Sequence, residues 1–202
     1  MSDITTTVDL IRHGEPVGGR KYRGQIDDPL SDKGWRQMRD AVGEHSPWQH
    51  IVSSPLKRCQ AFALELARSR NLPLSFDERF KEVKFGVWEG KTAEQLHAED
   101  PDMIARFKQD PIQQRPAGAE PLDEFFTRVR GAWFDLIAAH AGKHVLLVCH
   151  AGVIRMVLAN ALNLPLAATY RIDVPSAGLT RLKVQGIDED APHQLLFHHG
   201  AL

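Results

Sequence analysis

Residues 144–164 read HVLLVCHAGVIRMVLANALNL. The first six are apolar almost throughout, the pattern of a strand covered on both faces. The sequel from Ala151 stays apolar for too many positions to be a second strand and reads as a helix. A buried strand running directly into a helix is half of a βαβ unit. The same alternation recurs outward from it. Thr7–Ile11 is β-branched and apolar, a second buried strand. Ser31 opens SDKGWRQMRDAVGEH as a helix N-cap, with Trp35, Met38 and Val42 at helical spacing. Ile51–Ser53 is a short strand. Ser54 and Pro55 then read as the N-cap and first position of a helix striped by Cys59, Phe62, Ala63, Leu66 and Ala67. Leu72–Phe76 and Leu179–Val184 read as further strands, and Leu122–His140 as an amphipathic helix. Strands alternating with helices predict an α/β fold with a mainly parallel sheet and helices on both faces.

The 202 residues are 43% hydrophobic and 25% charged, with net charge −1. These values exclude wholesale disorder, and the charge gives no basic surplus for nucleic acid. No apolar run approaches the roughly 20 residues that span a bilayer. The start, MSDITTTVDLIRHGE, lacks the basic and apolar regions of a signal peptide. Two cysteines make no disulfide framework. The expectation is one cytoplasmic domain over residues 1–202, with neither nucleic acid nor membrane as partner and the oligomeric state open. From Phe80 to Pro121 the chain turns irregular, with short helical fragments and four prolines, and is expected to be a lid insertion. His193, His198 and His199 are expected in an exposed terminal segment.

Three strand ends share one chemistry. The first ends in Arg12–His13–Gly14, the second is followed by Arg58, and the third by His150–Ala151–Gly152. Ligands of open parallel sheets bind beyond the carboxyl ends of the strands. If these strands are neighbours, two guanidiniums, two imidazoles and two helix N-termini converge on one crevice, which suits phosphate. A histidine there can be a nucleophile once a backbone carbonyl fixes one ring nitrogen. Gly14 would let the backbone approach the phosphate closely. A carboxylate must carry the proton of the leaving group, and Glu82 and Glu89 in KEVKFGVWEG are the candidates.

LIRHGEP (10–16), SSPLKRCQAFA (53–63), KEVKFGVWEG (81–90) and VCHAG (148–152) together resemble the histidine phosphatase, or phosphoglycerate mutase-like, superfamily, in matching order over nearly the whole chain. The resemblance implies a three-layer α/β/α sandwich and a phosphomonoesterase that needs no metal or other cofactor. It implies His13 as the phosphorylated nucleophile and Glu82 as proton donor. Arg12, Arg58 and His150 would form the phosphate pocket, with Gly14 and Ala151 beside them. The substrate would be a small phosphate ester. KYRGQIDDPLS (21–31) and PAGAEPLDEFFTRV (116–129) are most similar to the α-ribazole phosphatase branch, which would make the ester α-ribazole 5′-phosphate. Two alternatives remain. One is mutase-type phosphoryl transfer, against which the lid offers few basic residues: Lys91, Arg106, Lys108 and Arg115. The other is a cysteine phosphatase, because Cys149 to Arg155 fits C-x₅-R with Cys149 as thiolate and Arg155 on phosphate.

Overall fold

A computed structural model describes residues 4–200. Six strands form one sheet: β1 (Thr5–Arg12), β2 (His50–Ser53), β3 (Leu74–Phe76), β4 (His144–Cys149), β5 (Leu179–Gln185) and β6 (His193–Gly200). Their order is β3-β2-β4-β1-β5-β6. The first four run parallel, and β5 and β6 are antiparallel. The α/β sandwich and its mainly parallel sheet are therefore as expected. Among the described residues the α-helices are α1 (Asp32–Val42), α2 (Lys57–Arg70), α3 (Ala93–Glu99), α4 (Met103–Gln109), α5 (Leu122–Ala139) and α6 (Ala151–Ala161).

The continuous apolar run of β4 is explained by its place. It lies between β1 and β2, and its side chains alternate between two cores. Val145, Leu147 and Cys149 join the core with Phe125, Trp133 and Val157 of α5 and α6. Leu146 and Val148 join the other, with Met38 and Phe62 of α1 and α2. Among the described residues, no helix is long and apolar enough to cross a membrane.

Two local expectations are corrected. The α2 N-cap is Leu56, not Ser54, and the helix starts at Lys57. The Ser54 hydroxyl is at a fully buried position, 2.8 Å from His150 Nε2, so it is committed to the site. Residues 193–200 are not the exposed terminal segment expected for all three histidines, since only His199 is exposed. They form β6 against β5, where His193 Nε2 accepts from Trp133 Nε1 at 2.9 Å and His198 Nδ1 lies 2.8 Å from the Thr180 hydroxyl. Their alternation is one of partial burial, so no clean period-2 pattern marks the strand.

The 80–121 stretch contains a 3₁₀ turn at Gly86–Trp88 and the short helices α3 and α4. It is anchored by Phe80, Val83, Trp88, Leu96 and Phe107, all buried in the α5–α6 core. Arg128 of α5 clamps its start by donating to the carbonyls of Arg79 (2.6 Å), Lys81 (2.8 Å) and Glu82 (3.2 Å).

Candidate active site

The parallel order β2-β4-β1 places the three strand ends side by side, as the motifs required. A cavity of about 530 Å³ opens there, and Arg12, His13, Arg58, Glu82 and Ala151 line it. Gly14 and His150 lie behind that surface. A Cβ on Gly14 would stand 2.2 Å from the Gly34 carbonyl oxygen, so its bareness admits α1 rather than clearing room for phosphate.

His13 is held with one nitrogen prepared for attack. Its Nδ1 is 2.7 Å from the Gly14 carbonyl, which can only accept, so the proton sits on Nδ1. Its Nε2 then carries the lone pair, and Arg58 Nε donates to it at 3.3 Å. Burial pushes the His13 pKa well below the ordinary imidazole range, and the charges of Arg58 and Arg12 push the same way. The ring is therefore neutral at physiological pH. His150 is similarly buried and lowered, by burial first and then by Arg58, His13 and Arg12. Its ring meets that of His13 edge-on, with centroids 5.2 Å apart.

The arginines are fixed by the backbone. Arg58 is 1% exposed and donates to the carbonyls of Ile26 and Gly24, both at 2.7 Å. Gly24 has φ +52°, and a Cβ there would meet Glu89 Oε1 at 1.9 Å, so the loop that holds Arg58 depends on glycine. Arg12 donates to the Val174 carbonyl at 2.6 Å, and its buried Nε has no partner among the described residues. Burial pushes the Arg12 guanidinium down to about 10, Glu82 opposes this, and Arg155 and Arg20 add to it. A desolvated, incompletely bonded guanidinium is one that an incoming anion stabilises.

Glu82 and Glu89 separate clearly. Glu82 faces the cavity and accepts from the N–H groups of Val83 (3.0 Å) and Gly152 (3.2 Å). The N–H of Gly152 at the α6 N-terminus is thus taken by Glu82 instead of waiting for phosphate. The Lys57 N–H at the start of α2 is taken by Asp27 at 2.6 Å. Glu89 accepts from Phe85 N (3.0 Å) and Gln25 N (3.3 Å) and serves the loop. Cys149 closes β4 at 0% exposure, outside the cavity lining, and burial pushes its thiol well above the ordinary range. A reactive thiolate is not available there.

The sequence profile of the histidine phosphatase superfamily (branch 1) matches residues 8–192. The chain belongs to the histidine phosphatase superfamily. This histidine phosphatase chain is 34% identical over 180 residues to a bifunctional protein of Mycobacterium tuberculosis, covering 87% of this chain and 49% of that protein. It therefore spans about half the length of that relative. It is 29% identical over 183 residues to phosphoserine phosphatase 1 of Hydrogenobacter thermophilus, covering 87% and 85% of the two chains. The native structure of a mycobacterial glucosyl-3-phosphoglycerate phosphatase superposes with TM-score 0.85 and 27% identity, over 98% of this chain and 100% of that one.

Several lining residues lie outside the four motifs that carry the superfamily resemblance. Arg20, Lys21 and Arg23 follow the Gly18–Gly19 turn, and Arg155, Tyr170 and Arg171 come from α6 and the turn after it. The run Arg20–Lys21–Tyr22–Arg23, just past a strand end, was the signal for the first group. Arg155, one helical turn after Ala151, was the signal for the second. Of Lys91, Arg106, Lys108 and Arg115, Lys108 alone lines the cavity.

Proposed function

We propose that this chain is a metal-independent phosphomonoesterase that hydrolyses a small phosphate ester through phospho-His13. His13 Nε2 attacks phosphorus, the bond from phosphorus to the ester oxygen breaks, and Glu82 gives that oxygen its proton. Glu82 then takes a proton from water, which attacks phospho-His13 and releases inorganic phosphate. Arg12, Arg58 and His150 carry the charge that grows on the equatorial oxygens. The observation that carries this reading is the geometry at His13: Nδ1 is committed to a carbonyl and Nε2 is turned to the arginine on the cavity side. Arginines supply the positive charge that a metal would otherwise bring.

The substrate is the finer question. Relatives of this chain bear the names of phosphoserine and glucosyl-3-phosphoglycerate phosphatases. α-Ribazole 5′-phosphate stands beside those esters as the candidate from the sequence resemblance. Mutase-type transfer would return the phosphoryl group to substrate instead of water, and release of inorganic phosphate separates the two. The test is turnover of p-nitrophenyl phosphate after prolonged EDTA treatment. Full activity is expected. Loss that one divalent ion specifically restores would overturn the metal-independent reading.

A further inference from the structure

We infer that Arg128, held by Glu120, is the positioning residue of the proton donor: it fixes the backbone from which Glu82 reaches the leaving group. The inference rests on the phosphomonoesterase reading above. Residues 81–84 belong to no helix or strand, so no ladder of their own pairs the carbonyls around Glu82. One guanidinium takes that place. Such a group carries five N–H donors in a planar fork. All five of Arg128 are used. Nη1 donates to the carbonyls of Arg79 (2.6 Å) and Lys81 (2.8 Å). Nη2 donates to the Glu82 carbonyl (3.2 Å) and to Glu120 Oε2 (2.9 Å), and Nε to Glu120 Oε1 (2.6 Å).

The fork is itself anchored. Arg128 stands in α5, where Phe125, Val129 and Trp133 are fully buried. Its guanidinium carbon lies 4.6 Å from the centroid of the Phe125 ring. Glu120 holds it through both carboxylate oxygens, a bidentate pairing that fixes orientation as well as charge. The two side chains are only 21% and 13% exposed, so salt screens this pair less than a surface pair. Glu120 Oε2 also accepts from Lys84 N at 3.2 Å, and Glu120 N donates to the Lys84 carbonyl at 3.1 Å. The pair therefore grips the chain at Lys81, Glu82 and Lys84, on both sides of the acid. Gln25 adds one longer bond, from Nε2 to the Glu82 carbonyl at 3.3 Å.

Neither Arg128 nor Glu120 lines the cavity, so neither touches the substrate. What they govern is where the Glu82 carboxylate stands. That carboxylate is held by the N–H groups of Val83 and Gly152, and the second of these belongs to α6. The bond to Gly152 forms only while the Glu82 backbone keeps its place against α6. Proton transfer is sensitive to such placement, and a shift of about 1 Å can cost about 10²-fold in rate.

The test uses p-nitrophenyl, phenyl and benzyl phosphate, whose leaving groups are similar in size and rise in basicity, so that each needs the acid more than the last. kcat/KM is measured for the unaltered enzyme, Glu82→Gln, Arg128→Lys and the double variant. Arg128→Lys keeps the charge but has three donors on one nitrogen and loses the fork. It should slow benzyl phosphate by about 10-fold to 10²-fold and p-nitrophenyl phosphate far less, the same selective pattern as Glu82→Gln. In the Glu82→Gln background it should add no further selectivity, because the group it positions is gone. A purely structural role would lower the melting temperature and slow all three esters alike in both backgrounds, and that result overturns the inference. Glu120→Gln removes one of the two oxygens that Arg128 uses and should give the same pattern more weakly; it decides the matter if Arg128→Lys does not fold. The controls separate the two possible failures. No turnover by the unaltered enzyme, or equal slowing of the three esters by Glu82→Gln, overturns the reading of the site and the inference with it. Selective slowing by Glu82→Gln beside equal slowing by Arg128→Lys overturns the inference alone.

Discussion

Glu82 and Gly152 act as one unit at the scale of residues. The glycine N–H holds the carboxylate at 3.2 Å, and a Cβ on Gly152 would stand 2.1 Å from Glu82 Oε1. Gly152→Ala must therefore displace Glu82, although it adds only a methyl group. Its effect on kcat/KM should resemble that of Glu82→Gln. Both should slow alkyl phosphates by the range typical of general acid catalysis, about 10²–10⁴. Both should slow p-nitrophenyl phosphate far less in kcat/KM, because that alcohol leaves without a proton. Equal slowing of the two substrates by Glu82→Gln, or a selective effect from Glu89→Gln instead, would remove Glu82 from the role. The motif residues were legible because a strand end fixes where they stand. The basic run marked Arg23, but not its burial or its partner: it is 7% exposed and bound to Asp28 at 2.9 Å, a partnership across a loop that no periodicity records.

The elements place the site through caps and close approaches. Ser31 caps α1 by accepting from Gly34 N at 3.1 Å, and its hydroxyl also donates to the Glu15 carbonyl at 2.8 Å. The same helix start packs its bare Gly34 against the backbone of Glu15, the second residue after His13. Ser31→Ala should cost about 1 kcal/mol of unfolding free energy, the usual value of a lost N-cap. Urea denaturation measures this, and an unchanged midpoint would show that the cap is not supporting β1's end. At this scale β4, α1 and α5 were readable from periodicity, since each buries a long regular stripe. Two elements were not. The start of α2 was misplaced because Ser54 has a second use, on His150, that outweighs capping. β6 is a partly exposed edge strand, and its contacts with β5 and Trp133 are tertiary.

Across the whole molecule, the two buried histidines tie stability to pH. Both have folded pKa values far below the unfolded value of about 6.5. Above that value neither state binds the proton, and the histidines leave stability unchanged with pH. Below it the unfolded chain binds protons that the folded chain refuses, so stability falls as the pH falls. The slope is about 1.4 kcal/mol per pH unit for each histidine. Melting temperatures recorded from pH 7.5 down to pH 5 should drop through this window. His140, pushed down to about 4 by burial first, and His50 and His193, lowered by burial, act in the same direction. His13→Ala should reduce the slope because one contributor is gone. A melting temperature independent of pH over that range would show that these rings can be protonated in place.

The central claim is that the phosphoryl group passes through His13, and trapping it there is the most direct measurement. The enzyme is mixed with p-nitrophenyl phosphate, quenched rapidly in base, digested and mapped. The phosphoryl group should lie on the peptide that contains His13, survive base and be lost in acid, as a phosphoramidate is. It should be missing from His13→Ala protein and present in Cys149→Ser protein. An acid-stable phosphoryl group on Cys149, or an adduct that persists in His13→Ala protein, would contradict the account.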